Sequence, residues 1–359
     1  MSIHQKVAGA IAAQEAASGG GVNFLKRVWR CLFKRKKTDG DDPSECRGEP
    51  RIGLALSSGG AKSLAHIGVI QVLEEHQIPV HAISGSSMGS YIGALWAAGC
   101  NGEQLEELAA SMQDRKILRK LADPAPPFLQ GFLKGEKAKA HLGQTLGHIS
   151  FRELKKKLIV IAADLDTYER VVLREGSVLD AVHASCAMPG IIVPVTVNGR
   201  RCTDGGVVEP VPVSSMRKFC DVDLVFAVST LPGFEQLDRK RSDDEHVIQE
   251  EMELGLWGKI AKGIGSLSLT SEGNTIDTLR RSIRIAQIRI AHDAIKDADV
   301  VMHAHSHQES RWHDYDNFKH FIEIGRTTAE EQLPTIKEVI KKYQTGDYKH
   351  ERKIQKLVG

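Results

Sequence analysis

The chain has 359 residues, of which 41% are hydrophobic and 26% are charged, and its formal net charge is +2. This balance is typical of a soluble globular protein that is long enough to bury a sizeable core, and it gives no argument for a nucleic-acid partner. The cysteines lack the paired spacing of a metal site, and no run reaches the ~18 apolar residues of a membrane-spanning helix. We therefore expect a cytoplasmic protein with reduced thiols, no metal and no cofactor.

The N-terminal region contains a basic amphipathic segment at residues 22–37. Apolar side chains recur there at helical spacing, and seven basic residues with no acidic one lie between Val22 and Thr38. This pattern is typical of a helix that lies peripherally on an anionic membrane surface. A disordered basic tail, or a helix docked on the protein's own core, would show the same pattern. We expect residues 1–50 to form this segment and a flexible linker.

The folded domain is expected to cover residues 51–345, with a C-terminal tail at 346–359. Its first apolar run, Ile52–Leu56, predicts a buried parallel strand that ends in a turn containing Gly59 and Gly60. In a dinucleotide-binding fold such a turn cradles a pyrophosphate, but GxGxxG spacing and the acidic residue of that fold are missing here. In a hydrolase the same backbone N–H groups form an oxyanion hole.

The second predicted strand enters a Gly-x-Ser-x-Gly pentapeptide at residues 85–89, and a helix of small residues leaves it. This arrangement is typical of a nucleophile elbow. Gly85 and Gly89 permit a tight turn that lifts Ser87 to the top of the sheet, beside the N-terminal N–H groups of the next helix. A flexible turn without chemistry is the alternative interpretation.

The remaining apolar patterns alternate between helical and strand periods, which predicts an α/β fold. We expect a three-layer α/β/α sandwich with a central, mostly parallel sheet and a polar surface insertion at 235–262. The helices are predicted at 64–76, 91–98, 103–112, 135–146, 178–186, 275–295, 318–331 and 333–343. The strands after the first are predicted at 79–83, 158–163, 170–174, 192–197, 201–202, 222–228 and 300–302.

A serine hydroxyl needs a base to become a nucleophile, and two kinds of base are compatible with this chain. Histidine oriented by a carboxylate is the usual partner, but the downstream histidines do not lie in a loop of glycine and small residues. Asp204 does lie in such a loop, where Gly205 and Gly206 let its carboxylate approach a neighbouring turn. An ordinary Asp-Gly β-turn is the alternative interpretation of this residue.

Four blocks of the sequence, taken together and in order, resemble the patatin-like phospholipases. The blocks are Ser-Gly-Gly-Ala-Lys-Ser-Leu-Ala-His-Ile-Gly-Val at 58–69, Gly-Ser-Ser-Met-Gly at 85–89, Asp-Ala-Val-His-Ala-Ser-Cys-Ala-Met-Pro-Gly at 180–190 and Asp-Gly-Gly at 204–206. They make residues 51–303 similar to this family. The similarity is strongest to its compact bacterial branch, which is related to the catalytic domain of neuropathy target esterase.

The resemblance implies a Ser–Asp dyad without a catalytic histidine. Ser87 would attack an acyl ester, Asp204 would act as the base, and the N–H groups of Gly59 and Gly60 would hold the oxyanion. The supporting residues that it implies are Lys62, Gly85, Gly89, Gly205 and Gly206. The implied reaction is hydrolysis of phospholipid or lysophospholipid through an acyl-enzyme.

The first block departs from the usual Gly-Gly-Gly-x-Arg-Gly of the family. Here Ser58 replaces the first glycine, Lys62 replaces the arginine and Ser63 replaces the last glycine. Lys62 keeps a positive charge but lacks the guanidinium fork. A catalytically weak or silent membrane-associated binding protein is therefore one alternative function, and a Ser-His-Asp esterase or acyltransferase is another.

Other conspicuous side chains are assigned to packing rather than chemistry. Three histidines alternate at 303, 305 and 307, which would suit a zinc site; we expect a polar strand-end loop instead. His66 lies close to the predicted site and is expected to pack or hydrogen-bond there. The remaining side chains with an expected packing role are Trp96, Cys186 and Cys202.

Overall fold

The computed structural model describes residues 48–111, 123–126, 131–233, 275–305 and 315–348. The basic segment at 22–37, the whole of the expected insertion at 235–262 and His307 lie outside these ranges. The described helices are α1 Ala65–Glu75, α2 Met88–Ala98, α3 Gly102–Ser111, α4 Glu136–Leu146, α5 Val178–Ser185, α6 Val213–Phe219, α7 Thr275–Ala294 and α8 Phe318–Thr345. Short 3-10 turns are Gly60–Leu64, Phe151–Glu153, Gly205–Val207, Ile295–Asp297 and Tyr315–Asn317.

The described strands form one mixed sheet. They are β1 Ile52–Leu56, β2 Val80–Ser86, β3 Lys157–Asp164, β4 Arg170–Leu173, β5 Val195–Val197, β6 Arg200–Asp204, β7 Leu224–Ser229 and β8 Val300–His303. The order across the sheet is β5-β6-β3-β2-β1-β7-β8, and β4 also pairs with β3. The five strands β3, β2, β1, β7 and β8 run parallel, whereas β4, β5 and β6 pair antiparallel. The predicted α/β class with a mostly parallel central sheet is confirmed.

The central strands are apolar throughout because helices cover both faces of the sheet. On one face, Leu54 and Leu56 of β1 join a large core with α1, α2, α5 and α8. On the other face, Ala55 of the same strand packs in a smaller core with Met216 of α6 and Ala291 of α7. All five residues of β1 are buried, so the expected three layers are present.

The edge of β3 next to β2 is shared by two strands that arrive from opposite directions. The last residue of β2, Ser86, pairs with Ile161, and the last residue of β6, Asp204, pairs with Ala162. Strand β4 occupies the other edge, since it pairs with Val160–Ala163. The ends of β2 and β6 therefore meet head to head over neighbouring residues of β3.

The C-terminal helix corrects one sequence-based expectation. Two helices were predicted, at 318–331 and 333–343. The structure has a single helix, α8, with Pro334 inside it. Ala329 before the proline and Ile336 after it are both buried in the core. Burial of both halves outweighs the cost of about 3 kcal/mol for an interior proline.

Helices α1 and α8 cross in direct backbone contact. A Cβ atom built on Gly68 of α1 would lie 2.0 Å from the carbonyl oxygen of Ile322, and one built on Gly325 of α8 would lie 1.9 Å from that of Ala65. Such distances leave no room for a side chain. Among the described residues, no helix is long and apolar enough to cross a membrane.

We predict that Gly325→Ala lowers the free energy of unfolding by about 1–3 kcal/mol, because the added methyl forces two backbones apart. Chemical denaturation of both proteins measures the difference. Gly143→Ala is the matched control: it lies inside α4, and its Cβ would meet only the end of the Leu179 side chain, at 3.2 Å. The control is expected to keep or gain stability, and equal losses in both variants would contradict the crossing argument.

Candidate active site

Ser87 lies in a sharp turn between β2 and α2. Its φ is 52° and its ψ is −128°, a conformation that costs a non-glycine residue about 1–3 kcal/mol. The turn is this tight because its flanks lack side chains. A Cβ on Gly85 would lie 2.5 Å from Ser90 Cα, and a Cβ on Gly89 would lie 2.4 Å from the carbonyl oxygen of Leu56. The geometry is that of the predicted elbow.

Two further serines hold the backbone of Ser87. The Ser87 N–H donates to Ser185 Oγ at 2.8 Å, and Ser90 Oγ donates to the Ser87 carbonyl at 2.6 Å. Ser185 is the last residue of α5, and Ser90 lies in the first turn of α2. These bonds hold the strained turn in place.

Asp204 is hydrogen-bonded to the Ser87 hydroxyl. Ser87 Oγ donates to Asp204 Oδ2 at 2.5 Å, and the Gly206 N–H donates to Oδ1 at 2.7 Å. The Asp204 N–H is itself fixed by the Ala187 carbonyl at 2.9 Å. Both side chains are nearly covered, with Ser87 7% and Asp204 3% exposed. The structure thus brings the two residues singled out from the sequence into direct contact.

Burial changes the acidity of this carboxyl. It raises the pKa of Asp204 from 3.8 to about 6, although the hydrogen bonds from Ser87 and Gly206 act in the opposite direction. The carboxylate is therefore charged at neutral pH and is a stronger base than an exposed aspartate.

The turn after β1 presents backbone N–H groups near the elbow. Gly59 is the N-cap of the Gly60–Leu64 turn, and Gly60 is its first residue. The N–H groups at the start of such a turn have no acceptor within it. Gly60 has a φ of +61°, and a Cβ on Gly59 would lie 2.2 Å from Thr230 Oγ1. Lys62 is half-buried in the same turn. The chain before the turn is held by Ser58, whose N–H donates to the Pro210 carbonyl at 2.9 Å.

His66 supports this turn instead of facing Ser87. The ring is fully buried, and Nε2 lies 2.9 Å from the Ser57 carbonyl. Because a carbonyl only accepts, Nε2 carries the proton and donates it. Burial lowers the pKa of His66 to about 4, so the ring is neutral at physiological pH. Hydrogen bonding, as expected from the sequence, is its observed role.

Cys186 lies close to Ser87 and Asp204, and Tyr91 and Tyr315 lie close to Cys186; none of the three was singled out for the site. Burial raises the pKa of the Cys186 thiol, and the negative charge of Asp204 raises it further. The pKa values of Tyr91 and Tyr315 are raised by burial and then by their proximity to Cys186. Cys186 belongs to the third sequence block, so its position near the site could have been predicted from the sequence. Tyr91 and Tyr315 belong to no motif, so theirs could not.

The other side chains assigned to packing occupy buried or polar positions. Trp96 is 3% exposed and its Nε1 donates to Glu74 Oε1 at 2.7 Å, while Cys202 is completely buried. His303 ends β8. Within the described ranges, no group of three or more His, Cys, Asp or Glu side chains is arranged to hold a metal ion.

Comparison with known proteins finds a family model and relatives that match the part of the chain containing this site. The patatin-like phospholipase model matches residues 54–217. An uncharacterised NTE family protein of Mycobacterium bovis is 38% identical over 180 residues, which are 50% of this chain and 49% of that protein. Lysophospholipase NTE1 of Candida albicans is 28% identical over 169 residues, which are 46% of this chain and 12% of that protein. The chain thus spans about half the length of the mycobacterial relative.

Solved structures with a detectable likeness include two bacterial proteins. VipD from Legionella pneumophila is 13% identical, with a TM-score of 0.44 over 86% of this chain and 73% of its own. The type III effector ExoU is 16% identical, with a TM-score of 0.38 over 81% of this chain and 54% of its own.

The raised pKa of Asp204 predicts a pH-dependent stability. Between about pH 4 and pH 6 the folded protein holds this proton more tightly than the unfolded chain. The wild type therefore loses stability as the pH rises through this window, and Asp204→Asn does not. From pH 4 to pH 7 the variant should gain up to about 3 kcal/mol relative to the wild type.

Urea denaturation across this pH range measures the difference in unfolding free energy. Glu175→Gln removes an exposed carboxyl outside the site and should show a nearly constant difference. A constant difference for Asp204→Asn as well would contradict the buried, proton-retaining carboxyl.

Proposed function

We propose that this chain, whose residues 54–217 match the patatin-like phospholipase family model, is a serine acyl-ester hydrolase of the phospholipase A or lysophospholipase type. The observation that carries the proposal is the 2.5 Å hydrogen bond from Ser87 Oγ to Asp204 Oδ2. It joins a hydroxyl on a strained elbow to a buried carboxylate, which are the nucleophile and base that such a reaction needs.

In the first half-reaction, Ser87 Oγ attacks the carbonyl carbon of an acyl ester while its proton passes to Asp204. The carbonyl oxygen becomes negatively charged, and the N–H groups of Gly59 and Gly60 are the donors proposed to stabilise it. Met88 N–H, at the start of α2, is a further donor of the kind found in nucleophile elbows. Collapse of the intermediate releases the alcohol, which takes the proton from Asp204, and leaves an acyl-enzyme.

In the second half-reaction, water attacks the acyl-enzyme and transfers a proton to Asp204. The Ser87 oxygen then leaves the acyl carbon and recovers that proton. The cycle thus needs one carboxylate, one hydroxyl and two or more N–H donors, and no metal enters any step.

A Ser-His-Asp mechanism has less support than the dyad. His66 follows the Gly60–Leu64 turn, and its ring N–H is already donated to the Ser57 carbonyl. Among the described residues, no histidine is hydrogen-bonded to Ser87 or Asp204. A silent binding protein is also less favoured, because it would gain nothing from a strained serine bonded to a buried carboxylate.

A lipid substrate is supported by two independent features. The relatives include proteins described as lysophospholipases, although they share only part of their length with this chain. The basic amphipathic segment at 22–37 is suited to an anionic membrane surface, where such substrates reside.

We predict that a fluorophosphonate adds once to the wild type and not to Ser87→Ala. Labelling of Asp204→Asn should be slower by about 10²-fold or more, because the serine loses its base. Intact-mass spectrometry measures the adducts, and release of fatty acid from a lysophospholipid measures turnover.

Ser86→Ala is the matched control, since it removes the hydroxyl next to the nucleophile in the chain. It should be labelled at the wild-type rate. If folded wild type forms no adduct, the silent binding function takes the place of the hydrolase. If Asp204→Asn is labelled as fast as wild type, the base is a different residue.

The basic segment generates a separate prediction. Deletion of residues 1–38 should weaken binding to anionic vesicles, and added salt should weaken binding of the intact chain, because the attraction is electrostatic. Deletion of residues 1–21 is the control, since it keeps the basic segment. Vesicle co-sedimentation measures both, and equal binding by the two truncated proteins would refute the membrane role of residues 22–37.

A further inference from the structure

One hydroxyl at the candidate site is buried without a hydrogen bond. Ser58 is 3% exposed, and among the described residues its Oγ has no hydrogen-bond partner. Leaving such a group unpaired costs about 1–3 kcal/mol, so it calls for an explanation. The backbone of Ser58 is fully engaged, because its N–H donates to Pro210 and its carbonyl accepts from Thr230 Oγ1 at 3.1 Å. Only the side chain is available to a bound molecule.

The Ser58 hydroxyl lies beside the base. A Cβ built on Gly206 would lie 2.8 Å from Ser58 Oγ, 2.8 Å from Gln287 Nε2 and 2.9 Å from Asp204 Oδ1. Three polar atoms from three separate elements therefore surround one face of Gly206, where any side chain would collide with them. Gln287 comes from α7, which packs over this turn and is half-buried at that position.

The distance between the Ser58 and Asp204 oxygens is within the reach of one bridging water. Ser58 Oγ lies 2.8 Å and Asp204 Oδ1 lies 2.9 Å from the position of a Cβ on Gly206. The two oxygens are therefore at most about twice that distance apart. Two oxygens that share a water at hydrogen-bond distances of about 2.8 Å are up to about 5.6 Å apart. A water there can donate one proton to the Asp204 carboxylate and the other to Ser58 Oγ. It can accept from the Gln287 amide and keeps one lone pair free.

We propose that Ser58, with Gln287, positions the water that hydrolyses the acyl-enzyme beside Asp204. This inference rests on the proposed hydrolase function and adds to it a residue that stands where the family pattern has glycine. Once Ser87 is acylated, it has no proton to give, and the carboxylate is free to accept one from water. The water oxygen bonds to the acyl carbon, its proton moves to Asp204, and the bond from that carbon to Ser87 Oγ breaks. The proton then returns to Ser87 and the carboxylic acid leaves.

Pre-steady-state hydrolysis of a p-nitrophenyl ester separates the two half-reactions. With Ser58→Ala the nitrophenol burst, which reports acylation, should stay within about twofold of wild type. The steady-state rate, which reports deacylation, should fall about tenfold, the usual effect of one lost hydrogen bond. Ser58→Gly should behave in the same way, and Gln287→Leu should reduce the same step by a smaller factor.

The partition of the acyl-enzyme between water and an added nucleophile also tests the role of Ser58, and it does so whichever step limits turnover. Hydroxylamine is a strong nucleophile that needs no positioned base, so the ratio of hydroxamate to free acid should rise about tenfold in Ser58→Ala. The matched control is Ser86→Ala. Its hydroxyl is also buried and unpartnered, but it lies against Gly205 inside the sheet, and its product ratio should equal that of wild type.

The outcomes distinguish this proposal from the function on which it rests. A wild-type product ratio in Ser58→Ala, with an intact burst, would overturn the water-positioning role and leave the Ser87 hydrolase standing. Equal slowing of burst and steady state, with an unchanged product ratio, would assign Ser58 to the oxyanion instead and also overturn the proposal. If wild type forms no acyl-enzyme at all, the hydrolase itself fails.

Discussion

The hydrogen bond between Ser87 and Asp204 depends on one edge of strand β3. Strand β2 ends opposite Ile161, and β6 ends opposite Ala162 after running in the other direction. Residues along a strand are about 3.4 Å apart, so the two chain ends arrive within side-chain reach. A fully parallel sheet would place neighbouring strand ends side by side. The antiparallel return of β6 places the carboxylate in line with the serine, and this explains why the sheet is mixed at that point.

Positioning Ser87 and Asp204 in this way has a cost in stability. The same packing that aligns Asp204 removes it from water, and Ser87 is held at a φ that non-glycine residues avoid. Both groups persist because their surroundings are rigid. The turn is bonded to Ser185 and Ser90, and the strands below it are buried on two faces. The core therefore stabilises a site that its own local interactions would not.

Sequence patterns predicted the parts of this structure that depend on local chemistry. Apolar runs predicted the buried strands. The glycines beside Ser87 and Asp204 drew attention to both residues, and the family resemblance implied that they act together. The contact from Ser185 to the Ser87 N–H was not predictable, since it requires the end of α5 to meet the elbow in space. The predicted division of the C-terminal helix between residues 331 and 333 was wrong for a related reason. The helix continues through Pro334 because Ala329 and Ile336, on either side of it, are buried in the tertiary core.

The buried carboxyl also explains how the proposed dyad of Ser87 and Asp204 could do without histidine. Free aspartate, with a pKa near 3.8, is a poor base for a serine hydroxyl, whereas histidine, with an unperturbed value of about 6.5, is a better one. Burial raises the pKa of Asp204 to about 6, which brings it close to that of histidine. The neighbouring side chains Ser185, Ser90 and Cys186 carry no charge that would stabilise the carboxylate and reverse this effect. Desolvation by the fold thus gives one aspartate the basicity that a triad obtains from an imidazole.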